Sequence, residues 1–313
     1  MQRPTLEFYQ DLMVVNSDHL ALSLQAFEKF KAQGFPTRKM ENWKYTSINK
    51  LQKEQFNFDE KLTAISHDLY KPIVREQVLT GDLIKKISHH PFALLNLATS
   101  NNIGMIEVKK GQSPSEAITL NFSLANNQLL QQCLVVKVSE NESLTLHVNY
   151  ENSDDSACFA NVFIKVELAK NAQCTIYKNQ QLNKQTYLID NVHVEQKANS
   201  YFYNFDLACG ATMARSDVDV NLLGSGADVS LNGFYQAKGN QHIDQHSLIQ
   251  HHVESCTSSE HFRGTIDDKA RAVFNGKIII TKDAQKSQTQ QINKNLLLSS
   301  QAEVDTKPEL EIY

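Results

Sequence analysis

The chain has 313 residues, with 31 Lys plus Arg against 35 Asp plus Glu and a formal net charge of −4. That length can bury a substantial core, while the near balance of charge offers no long-range field for nucleic acid or an anionic membrane surface. Met1-Gln2-Arg3-Pro4-Thr5 leads into polar sequence with no apolar secretory stretch, and the densest apolar runs, Ile278–Ile280 and Leu296–Leu298, are too short to span a bilayer. A cytoplasmic protein that partners neither nucleic acid nor membrane is expected.

To about Ile48 the chain reads as helical. Leu20, Leu24 and Phe27 fall at i, i+4 and i+7, with Ser17 placed as a cap, and Gly34 and Pro36 supply the stop. A second short helix is expected from Thr37, carrying Arg38, Glu41, Trp43, Lys44 and Tyr45, with the single tryptophan pinning it to the body. Residues 51–90 mix charged and apolar side chains without a period and read as a connector; Phe92–Ala98 reads as a short helix. The expected division is a helical N-terminal region and connector over 1–90, then a β core over 91–313.

From about Ile103 period-two alternation takes over. Leu144, Leu146 and Val148 alternate with Thr145, His147 and Asn149; Val218, Val220 and Leu222 alternate with Asp217, Asp219 and Asn221. One polar parity implies strands that bury a single face. A small residue leading into alternation recurs at Ser143, Ala172, Ala198 and Ala227, with weaker echoes at Ala270, Ala284 and Ala302. Recurrence on this scale points to a solenoid. A β-sandwich would also alternate, but 11 glycines and 6 prolines are few for its many tight turns. The fold class expected is mainly β: a parallel β-helix behind a small helical region.

The five cysteines, 133, 158, 174, 209 and 256, are odd in number and widely spaced, with no C-x-x-C, which argues against a disulfide framework or a thiolate zinc site. Cys158 and Cys174 share parity with apolar neighbours and should point into the core. His242, Asp244 and His246 project to one side of a strand, as nitrogen and oxygen metal ligands could. Ile243 and Ile249 take the other, core-facing parity, so these residues read as an outward, solvated polar ladder, with a metal-storing module as the alternative. Asp154-Asp155 and Asp267-Asp268 read as turns. G-x-S-x-G, H-E-x-x-H and the phosphate loop G-x-x-x-x-G-K-[ST] do not occur. A β-solenoid polysaccharide hydrolase or lyase is the alternative enzyme reading, weakened by the single tryptophan.

Several stretches carry a family likeness. They are Pro36-Thr37-Arg38-Lys39-Met40-Glu41-Asn42-Trp43-Lys44-Tyr45-Thr46, Leu231–Tyr235, Gln241–Asp244, Phe262-Arg263-Gly264-Thr265-Ile266-Asp267-Asp268, Ala272–Lys277, Gln290, Asn295–Ser299 and Ala302–Ile312. Together they resemble the SufB/SufD family of SUF iron–sulfur cluster scaffolds. Ile292-Asn293-Lys294-Asn295, where SufB-like chains carry a cysteine, has no thiol, which favours the SufD branch. The resemblance implies a right-handed β-helix and a non-catalytic scaffold. It also implies a SufB-like paralogue and a SufC-like ATPase as partners, with an iron–sulfur cluster assembled transiently in the complex and none bound tightly by this chain alone. A homodimer is expected in isolation. The family continues past the Pro308–Ile312 segment into a Cys-x-His motif, more β core and a helical segment that docks the ATPase. None of these has a counterpart before Tyr313, so no catalytic, cofactor or metal residue is carried over, and Tyr313 is expected to be an artificial or proteolytic boundary.

Overall fold

Alternating side chains from Asn102 onward form strands that stack in parallel rather than folding back in hairpins. The computed structural model describes residues 1–15, 20–58, 67–74, 77–100 and 102–313. One sheet contains β3 (Asn102–Val108), β5 (Gln128–Val138), β7 (Phe159–Leu168), β9 (Tyr187–Gln196), β11 (Met213–Leu222), β13 (His242–His251), β15 (Arg271–Ile280) and β17 (Glu303–Ile312). The other contains β4 (Ile118–Leu124), β6 (Ser143–Asn152), β8 (Gln173–Gln180), β10 (Tyr201–Ala208), β12 (Asp228–Ala237), β14 (Thr257–Ile266) and β16 (Gln288–Leu297). Successive strands alternate between sheets and pair in parallel one coil on, which makes a β-solenoid. Two short strands dock at its start: β1 (Asn57–Phe58) runs parallel to β5, and β2 (Tyr70–Pro72) antiparallel to β3.

In-register stacking sets like side chains on like. Ile106, Val136, Val166, Val194, Val220, Ile249, Ile278 and Leu310 form one continuous column. Each fully buried aliphatic member contributes about 1.5–3 kcal/mol. Leu310 is the exception, at 55% exposed. Among the described residues it stacks on Ile278 from one side, β17 being the outermost strand of its sheet.

Corners between the sheets need the left-handed region of backbone space. Asn141, Asn171 and Asn199 occupy it with φ of 64°, 58° and 54°. Asparagine tolerates this region better than other residues with a Cβ, so the solenoid turns with few glycines. Asn171 Nδ2 also donates to Asn141 Oδ1 at 2.7 Å, linking one corner to the next. The recurring small residues lie near these corners but do not form one register. Tyr201 pairs with Gln173, so Ser200, rather than Ala198, takes the place of Ala172.

The N-terminal part departs from expectation in detail. The helical stretch is two helices, α1 (Leu6–Val15) and α2 (Leu20–Gln33), ending before Ile48. Ser17 and the side chain of Leu20 lie outside the described residues. Leu24 is 43% exposed, whereas Phe27 is buried as expected, with Ala26 and Phe30 on the same buried face. The second helix shrinks to one 3-10 turn, Glu41–Trp43, although Trp43 is buried as expected. The connector contains β1, β2 and α3 (Gly81–Lys86), which is capped by the Thr80 hydroxyl accepting from Leu83 N at 3.1 Å.

Helix α4 (Pro91–Thr99) is buried on every side, against α2 and against the outer face of β5 and β7. Proline at its first turn forfeits no hydrogen bond. Asn96 Nδ2 donates to the Gln132 and Asn161 carbonyls at 3.1 and 2.8 Å, and Asn161 Nδ2 donates to Phe92 O at 3.0 Å. Strands of this sheet therefore bury both faces over much of its length, contrary to the single buried face that alternation implied. The polar parity marks a covered seam.

Candidate functional site

The outer face of β11 carries Arg215, Asp217 and Asp219, and that of β13 carries His242, Asp244 and His246. Residues 42–46 and the turn between α3 and α4 lie across these strands. Arg215 binds Asp217 through two parallel bonds of 2.8 and 2.7 Å. Its third nitrogen reaches Asp244 Oδ2 at 2.7 Å and the Asn42 carbonyl at 2.8 Å. The guanidinium lies 4.0 Å from the centroid of the Trp43 ring. A planar, delocalised cation suits both the paired carboxylate bonds and the aromatic face.

The second carboxylate is equally engaged. Thr46 Oγ1 donates to Asp244 Oδ2 at 2.5 Å, so the 2.7 Å contact between that hydroxyl and His242 Nε2 needs the imidazole as donor. His246 Nε2 stands 2.8 Å from Asp244 Oδ1. Burial alone would raise the Asp244 carboxyl, but His246 and Arg215 hold it well below the usual carboxylate range. His242 is pushed down by burial.

Beside this cluster, Asp219 Oδ2 takes contacts from His89 Nε2 at 2.9 Å and His90 Nε2 at 2.8 Å. Burial would raise this carboxyl too, but His90 and His89 hold it far below its ordinary value. His90 is raised, because Asp219 outweighs the penalty of burial.

A second polar group lies inside the coils. Lys178 on β8 is fully buried and reaches Asp190 on β9 at 2.6 Å, Asp206 on β10 at 3.1 Å and the Ser216 hydroxyl on β11 at 2.7 Å. Burial opposes its charge, but the two carboxylates overcome that and raise it. Two coils beyond β10, Glu260 on β14 is buried and accepts from Gln291 Nε2. Its carboxyl is pushed up to about 7 by burial.

The expected solvated ladder of His242, Asp244 and His246 is therefore a largely covered knot, with Asp244 buried and the two histidines partly buried. Its side chains are spent on Arg215, Thr46 and each other. Among the described residues, the group with metal-ligand spacing is instead His89, His90 and Asp219. The first two fell in the stretch read as connector; two adjacent histidines ahead of a helix-starting proline were the available signal. Cys158 and Cys174 are buried as expected, and burial pushes the Cys174 thiol up to about 12. The acidic pairs sit in turns: Asp154 Oδ1 accepts from Ser156 N at 2.9 Å, and Asp268 Oδ2 accepts from Gly239 N at 2.9 Å. Among the described residues, no helix is long and apolar enough to cross a membrane.

Comparison with known proteins gives a consistent result. Residues 121–313 match the family described as SUF system FeS cluster assembly, SufBD core domain, and residues 14–77 match the SufBD protein N-terminal region. The iron–sulfur cluster assembly protein SufD of Escherichia coli is 25% identical over 324 residues, covering 92% of this chain and 76% of that protein. An iron–sulfur cluster assembly SufBD family protein of Synechocystis is 27% identical over 250 residues, covering 76% of this chain and 55% of its own length. The SufD of Plasmodium berghei is 24% identical over 189 residues, covering 60% of this chain and 14% of that protein. The chain thus spans about three quarters of the first relative and about half of the second.

Proposed function

The chain belongs to the SufBD family of SUF-system iron–sulfur cluster assembly proteins, and from that premise we propose that it is a non-catalytic, SufD-type scaffold. It pairs with a SufB-like paralogue and works with a SufC-like ATPase, which supplies the nucleotide energy. The nascent cluster is held by the complex and is not kept tightly by this chain. In isolation the chain pairs with a second copy of itself, in the cytoplasm.

The observation that supports this reading is the match of residues 121–313 to the SufBD core domain, carried on a solenoid whose strands stack in register from coil to coil. Each coil buries its inner parity against the next, which gives the rigid platform a scaffold needs.

Co-expression with SufB-like and SufC-like chains tests the proposal. Capture of the SufB-like chain, with cluster formation scored by visible absorbance only when the partners are present, is the expected result. If neither partner is retained, or if cluster forms equally well without this chain, the reading fails.

A further inference from the structure

We infer that His89, His90 and Asp219 form a binding site for a divalent first-row transition metal, where the turn between α3 and α4 meets the outer face of β11. The inference does not depend on the cluster-assembly reading.

Three ligand atoms of suitable chemistry converge there. The Nε2 atoms of His89 and His90 stand 2.9 and 2.8 Å from Asp219 Oδ2, and all three atoms lie within 4.8 Å of one another. Two ligands bound at right angles, each about 2.1 Å from a metal, are about 3.0 Å apart. The imidazole nitrogens therefore already hold the spacing of adjacent coordination positions relative to the carboxylate oxygen. Their ring centroids are 4.0 Å apart with the planes tilted by 43°, and both Nε2 atoms converge on the one carboxylate oxygen.

Charge and surroundings favour a cation at this point. Asp217 is matched by the two-point contact with Arg215, whereas Asp219, among the described residues, has no Lys or Arg in ion-pair range. The Asp217 Oδ1 atom lies 3.9 Å from His90 Nδ1, on the side where a carboxylate steadies a metal-bound histidine. A small cleft lined by Asn42, His246 and Asn275 opens beside the three residues and leaves room for water or an exchangeable ligand. His89 is 36% exposed and offers access from solvent. Two imidazoles, one carboxylate and open positions suit Fe(II), and the same donors accept Zn(II) and Co(II).

The test uses the whole 313-residue chain, stripped with a chelator and titrated anaerobically with Co(II), then with Fe(II) and Zn(II). The expected result is one Co(II) per chain, with the visible absorption of nitrogen and oxygen coordination and no thiolate charge-transfer band. Zn(II) should displace it. His89→Ala and Asp219→Asn should each weaken Co(II) binding by roughly tenfold to a hundredfold or more. The half-exposed position of His89 makes His89→Ala the variant that keeps its fold, checked by near-ultraviolet circular dichroism. His147→Ala, on the outer face of the other sheet, should change nothing. Absence of stoichiometric metal on the wild type would overturn the inference. Equal binding by wild type and His89→Ala would do the same, as would a thiolate band assigning the metal to a cysteine.

Discussion

Trp43 lies face-on to the Arg215 guanidinium at 4.0 Å, and the same guanidinium pairs with both Asp217 and Asp244. One side chain thus joins the N-terminal segment to two neighbouring coils. Arg215→Met should cost about 3–5 kcal/mol, because it strips the buried Asp217 and Asp244 carboxylates of their shared guanidinium partner. Arg215→Lys should recover only part of this, since an ammonium cannot make the paired bonds and stack at once. Urea unfolding midpoints for the two variants give the comparison; equal stability of wild type and Arg215→Met would refute the role assigned to it.

Lys178 plays a comparable part inside the coils, between Asp190 and Asp206. Lys178→Met alone should destabilise by about 3–5 kcal/mol. Adding Asp190→Leu and Asp206→Leu should return stability to wild type or above it, because an all-apolar interior needs no compensation. The sign of that recovery, read from thermal melts of the single and triple variants, distinguishes a structural ion cluster from one kept for another purpose.

Glu260 predicts a pH dependence. Its ordinary value of 4.5 is raised to about 7 in the folded chain by burial. A raised carboxyl adds most to stability below about 4.5, and that contribution is lost as pH rises toward about 7, then stays level. At one pKa unit per 1.36 kcal/mol, the loss is about 3 kcal/mol. The stability difference between wild type and Glu260→Gln, measured across this range, isolates the effect from other groups. A difference that does not vary with pH would show that Glu260 titrates normally.

Gly264 leaves space for Tyr235, whose hydroxyl donates to Asn295 Oδ1 at 2.5 Å. A Cβ at Gly264 would collide with the Tyr235 ring. Gly264→Ala should therefore cost about 1–3 kcal/mol by overpacking. In a Tyr235→Ala background the same change should cost little. Equal costs in both backgrounds would locate the strain elsewhere.

Which side chains point inward was legible from the alternation of Leu144, Leu146 and Val148 and of Val218, Val220 and Leu222, since a period of two has only one pleated solution. Asparagines at the corners, about 30 residues apart at Asn141 and Asn171, are an equally physical signal and mark the coil repeat better than the small residues do. What lies over the outer parity was not legible. Asp217 and Asp219 alternate as surface residues do, and they are buried only because Asn42, His89 and His90 return to cover them. Periodicity reports that a strand has two faces. It does not report what another part of the chain brings to the second one.

The bond from Thr46 to Asp244 spans 198 residues, and that from Arg215 to the Asn42 carbonyl spans 173. During synthesis the segment around Trp43 leaves the ribosome long before the coils that will receive it. It must wait, unfastened, while β11 and β13 are made and stacked. The earliest-made part of this clasp is thus among the last to lock, and a slow step in native-state acquisition belongs at that closure rather than in the winding of the coils.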